Sequence, residues 1–390
     1  MLPLSGVKVV EFCQVAAGPF CAMLLADMGA EVIKVEPPSG DTLRQWPPLT
    51  GGFSENFASL NRNKRSIVLD LKNPDDRDTA IDLIRTADIL VENNRAGAMD
   101  RLGLGYSALK EIHPRLVYCS ISAFGQTGPR ANEGGFDVTI QAISGILSVT
   151  GEEGGGPVKC GVPVSDFTAG LYAAYTAAAM LRKVETTGQG GFVDVSMLGA
   201  SLAIGALQTS EYFGNGQDPR KLGSAHPRNA PYQAFRCGSS HIVIAAGNNK
   251  LWRDVCSIIG LDDIVDDPRF ATTALRAQNQ VALAEIIENR LADANPQIVL
   301  ERLGRAGVPS APINTYSQAL VDPQVVHAGW VEPLTLPNGH TTKTFGTPIA
   351  INGQREAVRR PPPELGEDTA MVHEELKAQY RDRSLHKAGT

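Results

Sequence analysis

Nothing in this chain marks a metal centre, a membrane span or a nucleic-acid surface. Its six cysteines (Cys13, Cys21, Cys119, Cys160, Cys237, Cys256) are scattered, with no C-x-x-C pair and no histidine at zinc-ligand spacing. No H-E-x-x-H or Ser-His-Asp pattern occurs among the seven histidines, so no metal and no serine-hydrolase triad is expected. Scattered thiols read as reduced, which makes a cytoplasmic location the expectation. A net charge of −6 with no basic stripe argues against a nucleic-acid partner. No apolar run reaches the ~18–20 residues of a membrane span. The longest candidate, residues 169–181, is alanine-rich and reads as a buried helix. The opening MLPLSGVKVVEF lacks the basic start and long apolar stretch of a secretory signal. Repeats and low-complexity segments are missing as well.

What is present is ordinary globular material, 43% hydrophobic and 20% charged over 390 residues, enough for one large domain or two. Val- and Ile-rich runs at residues 7–12, 31–35, 67–70, 89–92 and 116–121 alternate with helical patterns at 19–28, 74–86 and 106–112. That alternation predicts an α/β fold, a Rossmann-like large domain with a mostly parallel sheet. AAGPFCAMLLADMG follows the first run without a G-x-G-x-x-G, so a bound dinucleotide is not implied. A turn-rich stretch from 214 to 229 opens a second section with strands at 232–235, 241–245 and 310–313 and helices at 249–259, 281–292 and 296–306. This section, residues 214–330, reads as a linker and a smaller α+β domain. Residues 1–213 and 331–390 form the large one, the Pro- and Gly-punctuated tail packing back and ending in a charged helix.

Three segments carry groups with chemical potential. In GEEGGGPVKCGVPVSDFTAGLYAAYTAAAMLRK a loop runs into a long helix, with Asp166 at the helix start. A carboxylate there is stabilised as an anion by free N–H groups and the helix dipole, which suits a nucleophile. The same position equally suits a plain helix cap, and the local residues leave both readings open. NRNKRSIVLDLK gathers Arg62, Lys64, Arg65 and Lys72 around a strand, either as a phosphate site or as a solvated charge run. VENNRAGAMDRLG sets Asn93, Asn94, Arg95 and Arg101 just after a strand, where ligands bind in open α/β sheets.

Together these segments belong to a longer ordered series. It runs VVEFCQVAAGPFCAMLLADMGAEVIKVEPPSGDTLR, NKRSIVLDLK, VENNRAGAMDRLGL, SAFGQTGP, GVPVSDFTAG, GQGGFVDVSM, PYQAF, GVPSAPIN, DPQV and RRPPPELGE. Over essentially the full chain this series resembles the class III CoA-transferases, the CaiB/BaiF family. The resemblance implies that Asp166 is the nucleophile, forming an anhydride with the acyl group and then a thioester with CoA. It implies no permanently bound cofactor, coenzyme A thioesters being substrates. The positions matching the family's CoA contacts are Leu69, Lys72, Asn93, Asn94, Arg101 and Leu102. It further implies a ring-like subunit in an interlocked homodimer.

Departures from the family pattern narrow the chemistry. Oxalate-using members have an aromatic residue at Asn94 and an arginine at Pro37, and their polar Gln aligns with Ala16, with Gln14 nearby. Their glycine-rich loop is reduced here to Leu222-Gly223-Ser224-Ala225, which argues against formyl-CoA:oxalate chemistry. Racemases of the same fold need a His where Phe136 stands and a Glu where Asn248 stands. Phenylalanine cannot shuttle a proton and asparagine is no base at neutral pH, so transferase is favoured over racemase. A non-catalytic CoA-binding protein is the third reading. The second section is similar to the subgroup that moves CoA from succinyl-CoA to dicarboxylic acids such as glutarate, itaconate, mesaconate or malate. Candidates for contacting the acyl group and its distal carboxylate are Arg44, Trp46, His226 and Arg228.

Overall fold

Strands whose residues alternate between two buried faces need helices on both sides, and that is how the first unit is built. The computed structural model describes residues 1–388, with side chains through residue 379. Two units emerge: Met1–Ile146 with Lys159–Gly216 and the chain from Val325 onward, and Leu147–Val158 with Gln217–Gln324.

In the first unit six strands form one sheet: β1 (Lys8–Phe12), β2 (Glu31–Glu36), β3 (Lys64–Val68), β4 (Ile89–Glu92), β5 (Val117–Ser122) and β6 (Gly191–Ser196). Their order is β3-β2-β1-β4-β5-β6 and every pairing is parallel, the doubly wound arrangement. Val9 lies between Val32 and Ile89 in register, and all three face one core. Val10, between Ile33 and Leu90, faces the other. The helices are α1 (Ala17–Asp27), α2 (Pro74–Ile84), α3 (Tyr106–Ile112), α4 (Asp137–Ile143), α5 (Val164–Thr187) and α6 (Met197–Ile204).

Helix α5 packs on α1 through small residues. A Cβ on Gly170 would sit 2.7 Å from the Ala17 carbonyl oxygen, so only glycine permits this approach. Buried Ala169, Ala173 and Ala177 continue the same narrow face. On the other side of the sheet lie Leu83 and Ile84 of α2, Leu109 of α3, and Val372 and Leu376 of the last helix, Thr369–Ala388. The returning chain also covers the edge strand: Ser66 N–H donates to Asp368 at 3.0 Å and Val68 N–H to Thr369 at 3.1 Å.

Beneath the first loop lies a buried ionic network. The Lys34 ammonium, with no exposed surface, sits 3.2 Å from Glu11, 2.9 Å from Asp41 and 2.8 Å from the Cys13 carbonyl. Glu11 also faces Lys64 at 2.8 Å, and Lys64 donates to the Pro19 carbonyl and to Asn61, both at 2.9 Å. Glu36 takes two bonds from Arg44, at 2.8 and 2.6 Å, and one from Ser66. Three cations therefore meet three carboxylates. Burial pulls the Lys34 ammonium down, but Glu11, Asp41 and Glu36 more than reverse this and hold it above its ordinary range.

The third strand was expected at 67–70 and lies at Lys64–Val68, because Lys64 and Ser66 point into this network. The basic cluster is thereby corrected. Arg62 pairs with Asp27 at 2.6 Å, Arg65 with Glu31 and Glu375, and Lys64 with Glu11, so only exposed Lys72 stays available to a phosphate.

In the second unit β7 (Tyr232–Cys237), β8 (Ser240–Ala245) and β9 (Ser310–Pro312) form an antiparallel sheet in the order β9-β8-β7. Helices α7 (Asn249–Ile259), α8 (Gln280–Leu291) and α9 (Pro296–Arg305) enclose a core that includes Phe235, Trp252 and Phe270. Buried Arg276 is held there by the carbonyls of Ala230 and Phe270 and by Asn249. Among the described residues no helix is long and apolar enough to cross a membrane.

Removing the Lys34 charge leaves Glu11 and Asp41 buried without their shared partner. Lys34→Met is expected to lose about 3–5 kcal/mol of stability in denaturant titration. A loss below about 1 kcal/mol would show the network to be dispensable.

Candidate active site

Strands β1 and β4 lie side by side, and the chain leaves them toward opposite edges of the sheet. The crevice beyond their carboxyl ends is where such folds bind ligands. Here the two loops are locked together. Asn93 accepts from the Gln14 N–H at 2.9 Å and donates back to the Gln14 carbonyl at 2.8 Å. Asn94 donates to the Phe12 carbonyl, and its own N–H is taken by Glu92 at 2.8 Å. Val15 stands at φ +65°, an unfavourable conformation for a β-branched residue. Both carboxylate oxygens of Asp41 meet its N–H, at 3.2 and 3.3 Å, which carries the Lys34 network into the loop. Gly18 opens α1 where a Cβ would lie 2.3 Å from Cys13 Sγ.

A cleft of about 640 Å³ opens over these loops, lined among others by Gln14, Ala16, Asn93, Arg95, Phe136 and Asp166. Asp166 is in the first turn of α5, yet it does not cap it. The N-cap is Pro163, without a side-chain bond, and the Ser165 N–H donates to Asp137 of α4 at 2.9 Å. Burial raises the Asp166 carboxyl, the Asp137 carboxylate adds to this, and the result is about 7. The sequence-based expectation of an anion stabilised by the helix end is thus outweighed by burial.

The residues named from sequence separate into three groups. Gln14, Ala16, Asn93, Asn94, Phe136 and Asp166 line the one cleft. Arg101 lines an adjoining pocket of about 390 Å³ together with Tyr106, Tyr118 and Phe192, and Arg95 belongs to both. Leu69 is buried in the core, Leu102 packs against it, and Lys72 is exposed on the loop after β3. Trp46 is half-exposed and lines neither cavity. Arg44 is committed to Glu36 and the Pro363 carbonyl, with its guanidinium 3.8 Å above the Phe57 ring, so its assignment to a substrate carboxylate is withdrawn. His226 and Arg228 belong to the second unit. The His226 Nδ1 accepts from the N–H groups of Arg228 and Asn229, both at 3.1 Å. Asn248 caps α7, accepting from Leu251 N–H at 2.9 Å.

Sequence reasoning missed Asp137 and Gln141, one turn apart on α4, which tie α5 and its approach loop. A carboxylate at the first residue of a helix with a Gln four residues on was the signal available. Among the described residues no three His, Cys, Asp or Glu side chains converge on a metal position. Among the described residues the cleft lining carries two carboxylates, Asp166 and the Arg130-paired Glu133, and one cation, Arg95. Such a site can do nucleophilic carboxylate chemistry.

Known proteins agree on the family. The model of CoA-transferase family III matches residues 4–369. Succinate–glutarate CoA-transferase of Agrobacterium fabrum is 38% identical over 383 residues, 96% of each chain. Acetyl-CoA:oxalate CoA-transferase of Acetobacter aceti is 36% identical, again over 96% of each. A CaiB/BaiF family protein from Brucella suis superposes with a TM-score of 0.86 at 36% identity, covering 96% of this chain and 99% of that one. The chain belongs to CoA-transferase family III and is an enzyme of that family.

Proposed function

We propose that this transferase moves CoA from succinyl-CoA to a second dicarboxylic acid of the glutarate type, with Asp166 as nucleophile. The observation that carries this reading is a carboxylate in the first turn of α5 that lines the cleft and is not used as a cap. The succinate–glutarate relative supports the choice of acids. The oxalate-using relative keeps a shorter diacid within the test, despite the departures at Asn94 and Ala16.

The proposed steps balance without a redox partner. The Asp166 carboxylate attacks the thioester carbonyl, and the C–S bond breaks to give a mixed anhydride and CoA thiolate. The thiolate attacks the aspartyl carbonyl, releasing the donor acid and leaving an aspartyl-CoA thioester. The acceptor carboxylate opens that thioester, and the freed thiolate takes the new acyl group, returning Asp166 as a carboxylate. A nucleophile with a pKa of about 7 is half ionised at neutral pH and is more basic than an ordinary aspartate, which strengthens its attack.

Asn93, Asn94, Arg101, Lys72, Leu69 and Leu102 belong to the same proposal as CoA-contacting positions, with Gln14, Ala16 and Phe136 toward the acyl group. With Arg44 committed internally, Arg95 becomes the partner for the distal carboxylate, and Arg228 keeps that role as the competing candidate. Neither position that matches the racemase pattern favours racemisation: Phe136 has no titratable group, and the Asn248 side chain is engaged as a cap. The interlocked homodimer completes the proposal, and a solution mass equal to one chain would remove it. Exposed Leu171, Tyr175, Leu207 and Phe213 on helices of the first unit support a partner surface.

Asp166→Ala is expected to cut transfer between succinyl-CoA and glutarate by at least about 10³-fold. CoA binding by calorimetry should survive, and the wild type should show a CoA adduct on Asp166 by mass spectrometry. Full activity in the variant would sink the assignment. Only the anion attacks, so kcat/KM should fall about tenfold per unit below pH 7 and level off above it. In a panel of acids Arg95→Ala should raise KM for dicarboxylates alone. If Arg228→Ala does so and Arg95→Ala does not, the distal carboxylate belongs to Arg228.

A further inference from the structure

Asp137 and Gln141 lie on one face of α4, and between them they hold two points of the chain that leads to Asp166. One Asp137 oxygen accepts from the Ser165 N–H at 2.9 Å, and the other accepts from Gln141 Nε2 at 2.6 Å. Gln141, fully buried, accepts in turn from the Cys160 N–H at 2.8 Å. Residues 160 and 165 are therefore fixed to the same helix, and the segment between them carries the turn through Pro163. Below this segment Ser201 of α6 donates to the Ser165 hydroxyl at 2.9 Å.

We propose that Asp137 is a positioning residue for the nucleophile: it caps α5 in place of Asp166, and through Gln141 it fixes the approach loop, leaving the Asp166 carboxylate facing the cleft. This rests on the reading of Asp166 as nucleophile. A first-turn Asp normally folds back onto free backbone N–H groups, and that would withdraw its oxygens from a substrate. Here another carboxylate satisfies the Ser165 N–H, so the helix end does not compete for Asp166.

The same contact has an electrostatic consequence. Asp137 brings a second negative charge to the helix start and makes ionisation of Asp166 harder, in addition to the effect of burial. The other charged groups on the cleft lining are Arg95 and Glu133, the latter paired with Arg130 at 2.6 Å. From α1 the neighbours are Ala17 and Phe20, and from α6 Met197 and Ser201, none of them titratable near neutrality. Removing the Asp137 charge while keeping an acceptor for Ser165 is the change that isolates this effect.

Asp137→Asn and Asp137→Ser both keep a neutral capping oxygen, so one serves if the other folds poorly. In each, the acid limb of the kcat/KM profile for succinyl-CoA and glutarate should move down by about one pH unit. Gln141→Leu keeps the charge and cuts the tie to Cys160. It should leave the limb in place and lower kcat with little change in KM. A purely structural role for Asp137 would lower activity equally at every pH, and an unmoved limb overturns the proposal. Titration of the Asp166 carboxyl by carbon-13 NMR, its signal identified by its loss in Asp166→Asn, reads the same shift without turnover. If no acid pair is turned over but this titration midpoint falls in Asp137→Asn, the reading of Asp166 as nucleophile fails, and the positioning role with it, while the charge coupling of the two carboxylates stands.

Discussion

The Lys34 ammonium is out of water, and it is held by two carboxylates and a carbonyl at 2.8–3.2 Å. Its partners belong to three separate pieces around the candidate site: Glu11 to β1, the Cys13 carbonyl to the loop after it, and Asp41 to the turn after β2. Asp41 passes the constraint on by accepting from Val15 at the strained point of that loop. Desolvating several charges costs a great deal, and apolar replacements often match or exceed the stability of such clusters. What an ionic cluster offers here is discrimination: a loop displaced by one residue would strand a buried charge. The geometry of residues 13–17 is thus specified from below, independently of any ligand.

That frame supplies one part of the cleft lining, and Asp166 on α5 supplies another. Helix α5 packs its Ala- and Gly-rich face so closely on α1 that its first turn is brought to the crevice edge with Asp166 half-buried. Two influences then oppose each other. The helix end favours an anion by up to ~2 kcal/mol in partly buried geometries, while burial and Asp137 favour the neutral acid and prevail. In the proposed reaction the raised pKa makes the Asp166 carboxylate more basic, and so a stronger attacker, than a well-stabilised one. Coupled sites of this kind sacrifice some stability for chemistry.

Much of this was legible in the sequence, and the failures share a cause. Periodicity finds strands such as Ile89–Glu92 and helices such as Asn249–Ile259 because their apolar residues face a core. It fails at Lys64–Val68, where a buried Lys and Ser mimic a solvated run, since composition does not say whether a charge has a partner. Gly191–Ser196, the sixth strand, went unread because its residues alternate at a sheet edge and start on glycine. At the site, the position of Asp166 at a helix start was readable, but not that Pro163 and Asp137 release it from capping. That depends on α4, 29 residues away in sequence, meeting α5 in space. Arg44 looked free for a substrate because Glu36, eight residues earlier, gave no sign of pointing toward it.

The absence of a glycine-rich fingerprint at the switch point follows from the same construction. Dinucleotide folds let the pyrophosphate approach the first loop by removing side chains, so that backbone N–H groups and the helix end meet the phosphates directly. Here the Asp41 carboxylate already occupies the Val15 N–H, and Asn93 occupies that of Gln14. The loop has no free donors left at those positions for a phosphate, and its side chains at Gln14 and Ala16 face the cleft instead. A ligand seated there is met by side chains and by Asp166, which suits an acyl group better than a pyrophosphate. In the proposed reaction the charged end of the CoA thioester is met elsewhere, toward the adjoining pocket lined by Arg101.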